Sequence, residues 1–317
     1  MSWEIAVAGT VHLDDITTPH GRRTRQIGGS ALYFALAAAP HAPVHLNAIV
    51  GEDAETELRE NVARLPVDLE GLVVSARPTF RWYAVHDFQR WVAETVAEEP
   101  GCEPEWRPHL SRRAARAEVL FLGSMRPALQ RAILAQTSAR LIGVDSMTCF
   151  TGPERGAVQE VVAGCDVLFL NRAELLSLVP DAADWQGAAR SLLGRGRLRA
   201  VVVKGGPLGA ALVTASAVLE LPAAPVEMVI DPTGAGDAVA GGFLGLCAEL
   251  GRDDDRFFPV ALEEGLSRAA TAIGTFGTGG LRRLAALSPG SGLPGPLPAA
   301  GQATRSRQGH ADDVPDR

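Results

Sequence analysis

Val229-Ile230-Asp231-Pro232-Thr233-Gly234-Ala235-Gly236-Asp237-Ala238-Val239-Ala240-Gly241-Gly242-Phe243-Leu244 is the stretch from which the rest of the chain is read. An apolar pair, a turn and a run of small and apolar residues predict a strand, a bend and a helix in succession. Pro232 fixes its own φ and stops the strand. Gly234 and Gly236 permit tight backbone geometry and put no side chain in the way of a close ligand. The free N–H groups of the first helical turn, those of Ala235, Gly236 and Asp237, combine with the helix dipole to make a site for an anion. A carboxylate at Asp237 repels such an anion unless it takes a proton from a group about to attack it, which is the logic of phosphoryl transfer with a general base. Taken alone, Gly-x-Gly-Asp is more simply a helix start with an ordinary first-turn acid, so its companions in the chain decide the reading.

Those companions follow a rhythm. Residues 4–9, 44–51, 119–124, 141–145, 167–171 and 200–204 are short apolar runs, most of them ending in Gly or a polar residue, with helix-like segments between them. Alternating β and α with unbroken apolar strands predicts an α/β fold, a doubly wound and mostly parallel sheet covered on both faces. Ligands of such sheets bind past the carboxyl ends of the strands. His12 and Asp14 follow the first run. Asp145 ends the fourth, Asn171 ends the fifth with Glu174 a helical turn later, and Lys204 ends the sixth. The pair Gly28-Gly29 opens a helix of small residues carrying Tyr33, with Ser30 as its cap. On their own, Asn171 and Glu174 read as a helix cap and its capping box, and the Gly206 to Gly209 segment reads as a β-turn. Residues 67–72 read as a connector. Residues 79–92 hold Phe80, Trp82, Tyr83, Phe88 and Trp91 without Gly or Pro, which predicts one aromatic strand with Phe80, Trp82, Ala84, His86 and Phe88 on one face.

Several of these pieces together resemble the ribokinase-like (PfkB-type) carbohydrate kinase family, over about residues 4–287. The stretch 229–244 is similar to its C-terminal signature. Gly28-Gly29 resembles its second signature, Gly9-Thr10-Val11-His12-Leu13-Asp14 its opening motif, Asn171-Arg172-Ala173-Glu174 its Asn-x-x-Glu motif, and Gly206 with Gly209 its nucleotide loop. The resemblance implies an ATP-dependent enzyme that phosphorylates a hydroxyl of a sugar or sugar-like molecule. It implies Asp237 as base, an anion hole at 234–237, and acceptor contacts from Asp14, Gly28 and Gly29, with His12 and Tyr33 beside them. It implies Asn171 and Glu174 placing Mg2+ through water, nucleotide contacts from Lys204, Gly206, Gly209 and Thr233, and a monovalent-cation site such as K+ at Asp231. Strands from about 10–27 and 78–98 would form a small β lid, which in the family often also makes a homodimer contact. One departure stands out: Tyr33 replaces the Asn that usually binds substrate in that helix, which puts ribose itself in question. A nucleoside kinase of the same fold, with Tyr33 and the lid aromatics against a base, stays open, as does a member that binds nucleotide without chemistry.

Composition sets the outer bounds. The chain has 317 residues, 46% of them hydrophobic, and a net charge of −7, with no basic stripe for a nucleic acid. Its four cysteines are far apart and form no metal or disulfide pattern. No apolar run is long enough for a bilayer, and a reducing cytoplasm is the expected compartment. Residues 288–317, rich in Pro and Gly, read as a disordered tail.

Overall fold

Each apolar run becomes a strand whose neighbouring side chains point to opposite faces. The computed structural model describes residues 3–287, so the expected tail at 288–317 lies outside the described residues. The strands are β1 (Ile5–Ala8), β2 (His12–Thr18), β3 (Gly21–Gly28), β4 (Val44–Gly51), β5 (Val67–Ser75), β6 (Arg81–Asp87), β7 (Val92–Glu99), β8 (Val119–Leu122), β9 (Leu141–Asp145), β10 (Val167–Asn171), β11 (Ala200–Lys204), β12 (Ala210–Thr214) and β13 (Val218–Leu221). Nine form one sheet in the order β13-β12-β11-β10-β9-β8-β1-β4-β5. It is parallel from β11 to β5 and turns antiparallel at β12 and β13.

In β8, Val119 and Phe121 face one layer while Leu120 and Leu122 face the other. The first layer holds helices Ser30–Ala38, Ala235–Leu250 and Phe258–Ile273, and the second holds Arg155–Ala163, Arg172–Leu178 and Trp185–Leu192. The expected doubly wound sandwich is present. Rings of Phe34, Phe121, Phe169, Phe243 and Phe258 contact one another in series through the first layer, with centroids 4.3–6.1 Å apart. Helix Ala235–Leu250 lies wedged between its two neighbours. A Cβ on Gly241 would stand 2.6 Å from the Phe34 carbonyl oxygen, and one on Gly242 would stand 2.9 Å from that of Glu264. The small residues of the motif therefore serve helix packing as well as any ligand, and they fix where the first turn of this helix points.

A second sheet of four strands, β3-β2-β6-β7, uses the two segments expected of a lid. It is mixed: β2 pairs antiparallel with β3 and parallel with β6, and β6 pairs antiparallel with β7. Three local expectations change. Residues 79–92 are not one strand. The Asp87 carboxylate accepts from the Gln89 and Arg90 N–H groups at 2.8 and 3.0 Å, which turns the chain back into β7. The connector at 67–72 is part of β5, an edge strand that tolerates acids because Asp68 bonds His45 at 2.9 Å. Val229 and Ile230 form no strand; the Ile230 and Asp231 N–H groups both donate to the Ile273 carbonyl, tying the segment to the end of helix Phe258–Ile273.

Candidate active site

Asp231 organises the turn that precedes helix Ala235–Leu250. Its side chain is fully buried, and its two oxygens accept from the Thr233 N–H at 3.0 Å and the Gly277 N–H at 3.2 Å. Gly234 then adopts a left-handed φ of 75°, and a Cβ there would meet the Tyr33 ring at 2.2 Å. The helix starts at Ala235. One expectation is corrected here: the Ala235 N–H is not free, because it donates to the Pro232 carbonyl at 3.2 Å. Among the described residues, the Gly236 and Asp237 N–H groups have no partner on another residue. Two amides rather than three are left for an anion.

Asp237 is half-buried beside them, and Lys204 leans over Gly236 so that a Cβ there would stand 3.0 Å from its Nζ. Lys204 donates to Asp145 Oδ2 at 2.5 Å. The Ser146 N–H holds the other Asp145 oxygen at 2.8 Å, and the buried Gln130 amide donates to the Asp145 and Gly123 carbonyls. Asn171 and Glu174 form the complete capping box: the Glu174 N–H donates to Asn171 Oδ1 at 2.9 Å, and the Asn171 N–H donates to Glu174 Oε2 at 2.7 Å.

The charges interact. Burial pushes the Asp237 carboxyl up to about 7; the Asp145 charge adds to this and Lys204 opposes it. Burial likewise raises Glu174 to about 7, and it raises Asp145 against the pull of Lys204. Burial alone would lower the Lys204 ammonium, but Asp145 and Glu174 more than reverse that and hold it charged. Among the described residues no group of three or more His, Cys, Asp or Glu side chains forms a metal cage. The donors present still suit Mg2+, which at phosphate sites takes one or two carboxylates, waters and the phosphates themselves. Glu174 keeps its second oxygen outside the capping box.

On the small sheet, Asp14 is buried and its Oδ1 has no hydrogen-bond partner. Burial raises its carboxyl well above the usual range, and the charges of Asp231 and Asp15 raise it further. His12 is half-buried against the Phe80 ring, centroids 4.4 Å apart, and its buried Nε2 is also unpartnered. Burial drops the His12 imidazole to about 4, so it is neutral at physiological pH and its 3.8 Å approach to Asp14 is not an ion pair. Asp15 is turned away to Arg81 at 2.9 Å and the Arg25 N–H at 2.6 Å. Gly28 lies against Asp14, where a Cβ would meet Oδ2 at 2.5 Å, and Gly29, at φ 94°, presses on the Thr10 carbonyl. Ser30 is not the expected cap: it is the first helical residue, and its Oγ accepts from the Thr10 N–H at 3.2 Å. Buried, unpaired polar atoms at the carboxyl end of a strand invite a polyhydroxylated ligand.

The sequence profile of pfkB family carbohydrate kinases matches residues 5–278. The chain belongs to the pfkB family of carbohydrate kinases. A cytidine kinase of Thermococcus kodakarensis is 28% identical over 86% of this chain and 97% of its own length. An ATP-dependent ribose-1-phosphate kinase of Halopiger xanaduensis is 31% identical over 77% of this chain and 81% of its own. The solved adenosine kinase of Sinorhizobium meliloti shares the fold, with a TM-score of 0.71 over 90% of this chain and 99% of that one at 19% identity.

In this pfkB kinase the residues singled out in sequence fall into two groups. Asp237, Gly236, Lys204, Asn171 and Glu174 converge at the ends of β10 and β11. Asp14, His12, Gly28 and Gly29 converge on the small sheet. Tyr33 joins them from below, its ring on Gly234 and its phenol raised by burial and by the charges of Asp231, Asp14 and Asp237. Gly206 and Gly209 shape the turn after Lys204; Gly209 is at φ 87° with a Cβ blocked by the Leu221 carbonyl at 2.0 Å. Asp145, named in sequence only as a strand-end residue, joins the first group through Lys204, and His86, which sequence reading could only assign to a face, reaches Thr233.

Proposed function

We propose that this kinase transfers the γ-phosphoryl group of ATP to a hydroxyl of a sugar or sugar-like small molecule, with Asp237 as the general base. The observation that carries the reading is a half-open carboxylate beside two amides that bond no other residue, with a held ammonium facing them. Asp237 would take the proton of the acceptor hydroxyl, and its raised pKa suits a base working near neutrality. The Gly236 and Asp237 N–H groups and Lys204 would stabilise charge on the transferred group. Asn171 and Glu174 would hold Mg2+ through water, and the ion would neutralise phosphate charge. Asp14, His12, Gly28 and Gly29 would hold the acceptor, with Tyr33 fixing the turn between acceptor and phosphate. Thr233, Gly206 and Gly209 would line the nucleotide side. Asp231, with both oxygens on amides, could still add a lone pair to K+ beside the turn. The small sheet would act as a lid that excludes water and as a homodimer contact, and the four free cysteines suit a reducing cytoplasm.

A nucleoside acceptor is the second reading. It is favoured by the match to a cytidine kinase along nearly that protein's whole length and by Tyr33 in place of Asn. The test is ADP release with ribose, fructose, adenosine and cytidine side by side, for wild type and Asp237→Asn. Loss of the base should slow turnover by about 10²–10⁴-fold. A rate within a few-fold of wild type refutes the role of Asp237, and no acceptor-dependent release with any compound favours a binding protein.

A further inference from the structure

One buried side chain of the small sheet reaches outside it. His86 lies on β6, on the inward face with Ala84, while Val85 between them is exposed. Its Nε2 stands 2.9 Å from Thr233 Oγ1 and 3.7 Å from Asp231 Oδ1. The Asp231 oxygens already hold the Thr233 and Gly277 amides, and the Thr233 hydroxyl can donate to Nε2 or accept from it, so the His86–Thr233 bond forms with either tautomer. The edge of the Trp82 indole at 6.5 Å restrains the ring. A single imidazole thus joins the sheet to the turn that sets the φ of Gly234 and aims the Gly236 and Asp237 amides.

The sheet register makes this consequential. β6 runs parallel to β2, with Trp82 opposite Asp14 and Ala84 opposite Ile16. The strand that offers Asp14 and the strand that offers His86 are therefore one rigid unit. A shift of that unit against the main sheet would break the His86–Thr233 bond and displace Asp14 together. The same unit touches the far side of the turn through Arg23, whose guanidinium lies 4.8 Å from the Phe276 ring centroid, next to Gly277. No other described side-chain hydrogen bond links the small sheet to residues 231–237.

We propose that His86 is a positioning residue that couples seating of the small sheet to the geometry of the anion turn, so that the two amides are aimed only when the acceptor strand is in place. This rests on the phosphotransfer reading above. Its chemical consequence is that nucleotide turnover depends on the acceptor: with the sheet away, Thr233 loses its hydrogen-bond partner and the turn loosens, and water is a poor substitute for the bound alcohol.

The experiment compares wild type, His86→Ala, His86→Gln, Thr233→Val and the double variant His86→Ala/Thr233→Val. Loss of one well-placed hydrogen bond at the turn should lower acceptor-dependent kcat about tenfold in His86→Ala, with the KM for ATP within about twofold. Acceptor-free ATP hydrolysis should stay level, so the ratio of the two rates falls. His86→Gln, which keeps an N–H donor of similar reach, should recover most of the loss. The double variant should be no slower than Thr233→Val alone, since both changes remove the same bond. Multiplicative losses, or an unchanged ratio, overturn the proposal. A second measurement is independent of turnover: amide hydrogen exchange across residues 231–237 should quicken in His86→Ala while the main sheet is unaffected, and unchanged exchange there also overturns it. If wild type shows no acceptor-dependent ADP release, the functional reading fails, and the exchange measurement still decides the role of His86.

Discussion

Gly234→Ala should destabilise the protein by about 2–5 kcal/mol, and the reason can be divided into two parts. The backbone at this position has a φ of 75°, a left-handed conformation that costs an L-residue about 1–2 kcal/mol. The new methyl would also lie 2.2–2.5 Å from three Tyr33 ring carbons, and forcing a group into a filled space costs about 1–3 kcal/mol more. Tyr33 has little room to yield, since it is buried and Gly28 closes on its ring from another side, where a Cβ would stand 3.1 Å away. A double-mutant cycle read by urea unfolding separates the parts. In a Tyr33→Ala background the methyl has space, so Gly234→Ala there should cost only the backbone part, about 1–2 kcal/mol. If the cost is the same in both backgrounds, the ring is not what requires glycine at 234. If Gly234→Ala alone costs under about 0.5 kcal/mol, the argument from φ fails too.

Three further outcomes follow from the charges. The acid limb of kcat/KM should fall near pH 7 as Asp237 takes a proton; Lys204→Met should move that limb to higher pH and Asp145→Asn to lower pH, and shifts of the same sign would refute the arrangement. Asp237→Asn should be more stable than wild type at about pH 8 and not at about pH 5, by thermal unfolding. The folded acid keeps its proton up to about 7 while the unfolded one loses it near 4, so stability falls between those values and the amide escapes the loss. Asp14→Asn should raise the acceptor KM at least tenfold while the KM for ATP changes less than about twofold, since its free oxygen faces the acceptor side; equal effects on both would place it elsewhere.

The main sheet was legible because a strand buried on both faces needs an unbroken apolar run, and few other structures do. β5 escaped because an edge strand can carry Asp68 and Glu70, one of them bonded to a buried histidine. The β6–β7 hairpin escaped because its turn is made by the Asp87 carboxylate rather than by Gly or Pro. Val229 and Ile230 misled in the opposite sense: they are apolar, but the Ile230 N–H is taken by the Ile273 carbonyl at a helix end rather than by a strand. In the site, each strand-end residue could be named, because parallel topology brings strand ends together. The pairings could not. Lys204 meets Asp145 across 59 residues and His86 meets Thr233 across 147, and nothing local in either segment encodes the partner.

The two halves of the site differ in how they are held, and the difference has a physical reason. The phosphate half stands on the main sheet, where the ends of β9, β10 and β11 fix Asp145, Asn171 and Lys204, and close helix packing fixes the first turn of Ala235–Leu250. Catalysis by charge stabilisation needs this, because donors must already point where charge will develop. The acceptor half stands on a four-strand sheet whose outer strand, β7, is exposed along its whole length. On the proposed reading, an acceptor held against Asp14 would enter and leave only if something moved, and a small sheet joined by few side chains to the turn is the part that could move without disturbing the amides' support. Keeping Asp14 and His12 with unpaired buried atoms costs stability in the empty protein, and an alcohol-rich ligand that satisfies them recovers it. On the proposed reading, the binding energy of the acceptor seats the strand that also carries His86, so that the arriving alcohol sets the geometry of the amides that receive the phosphoryl group.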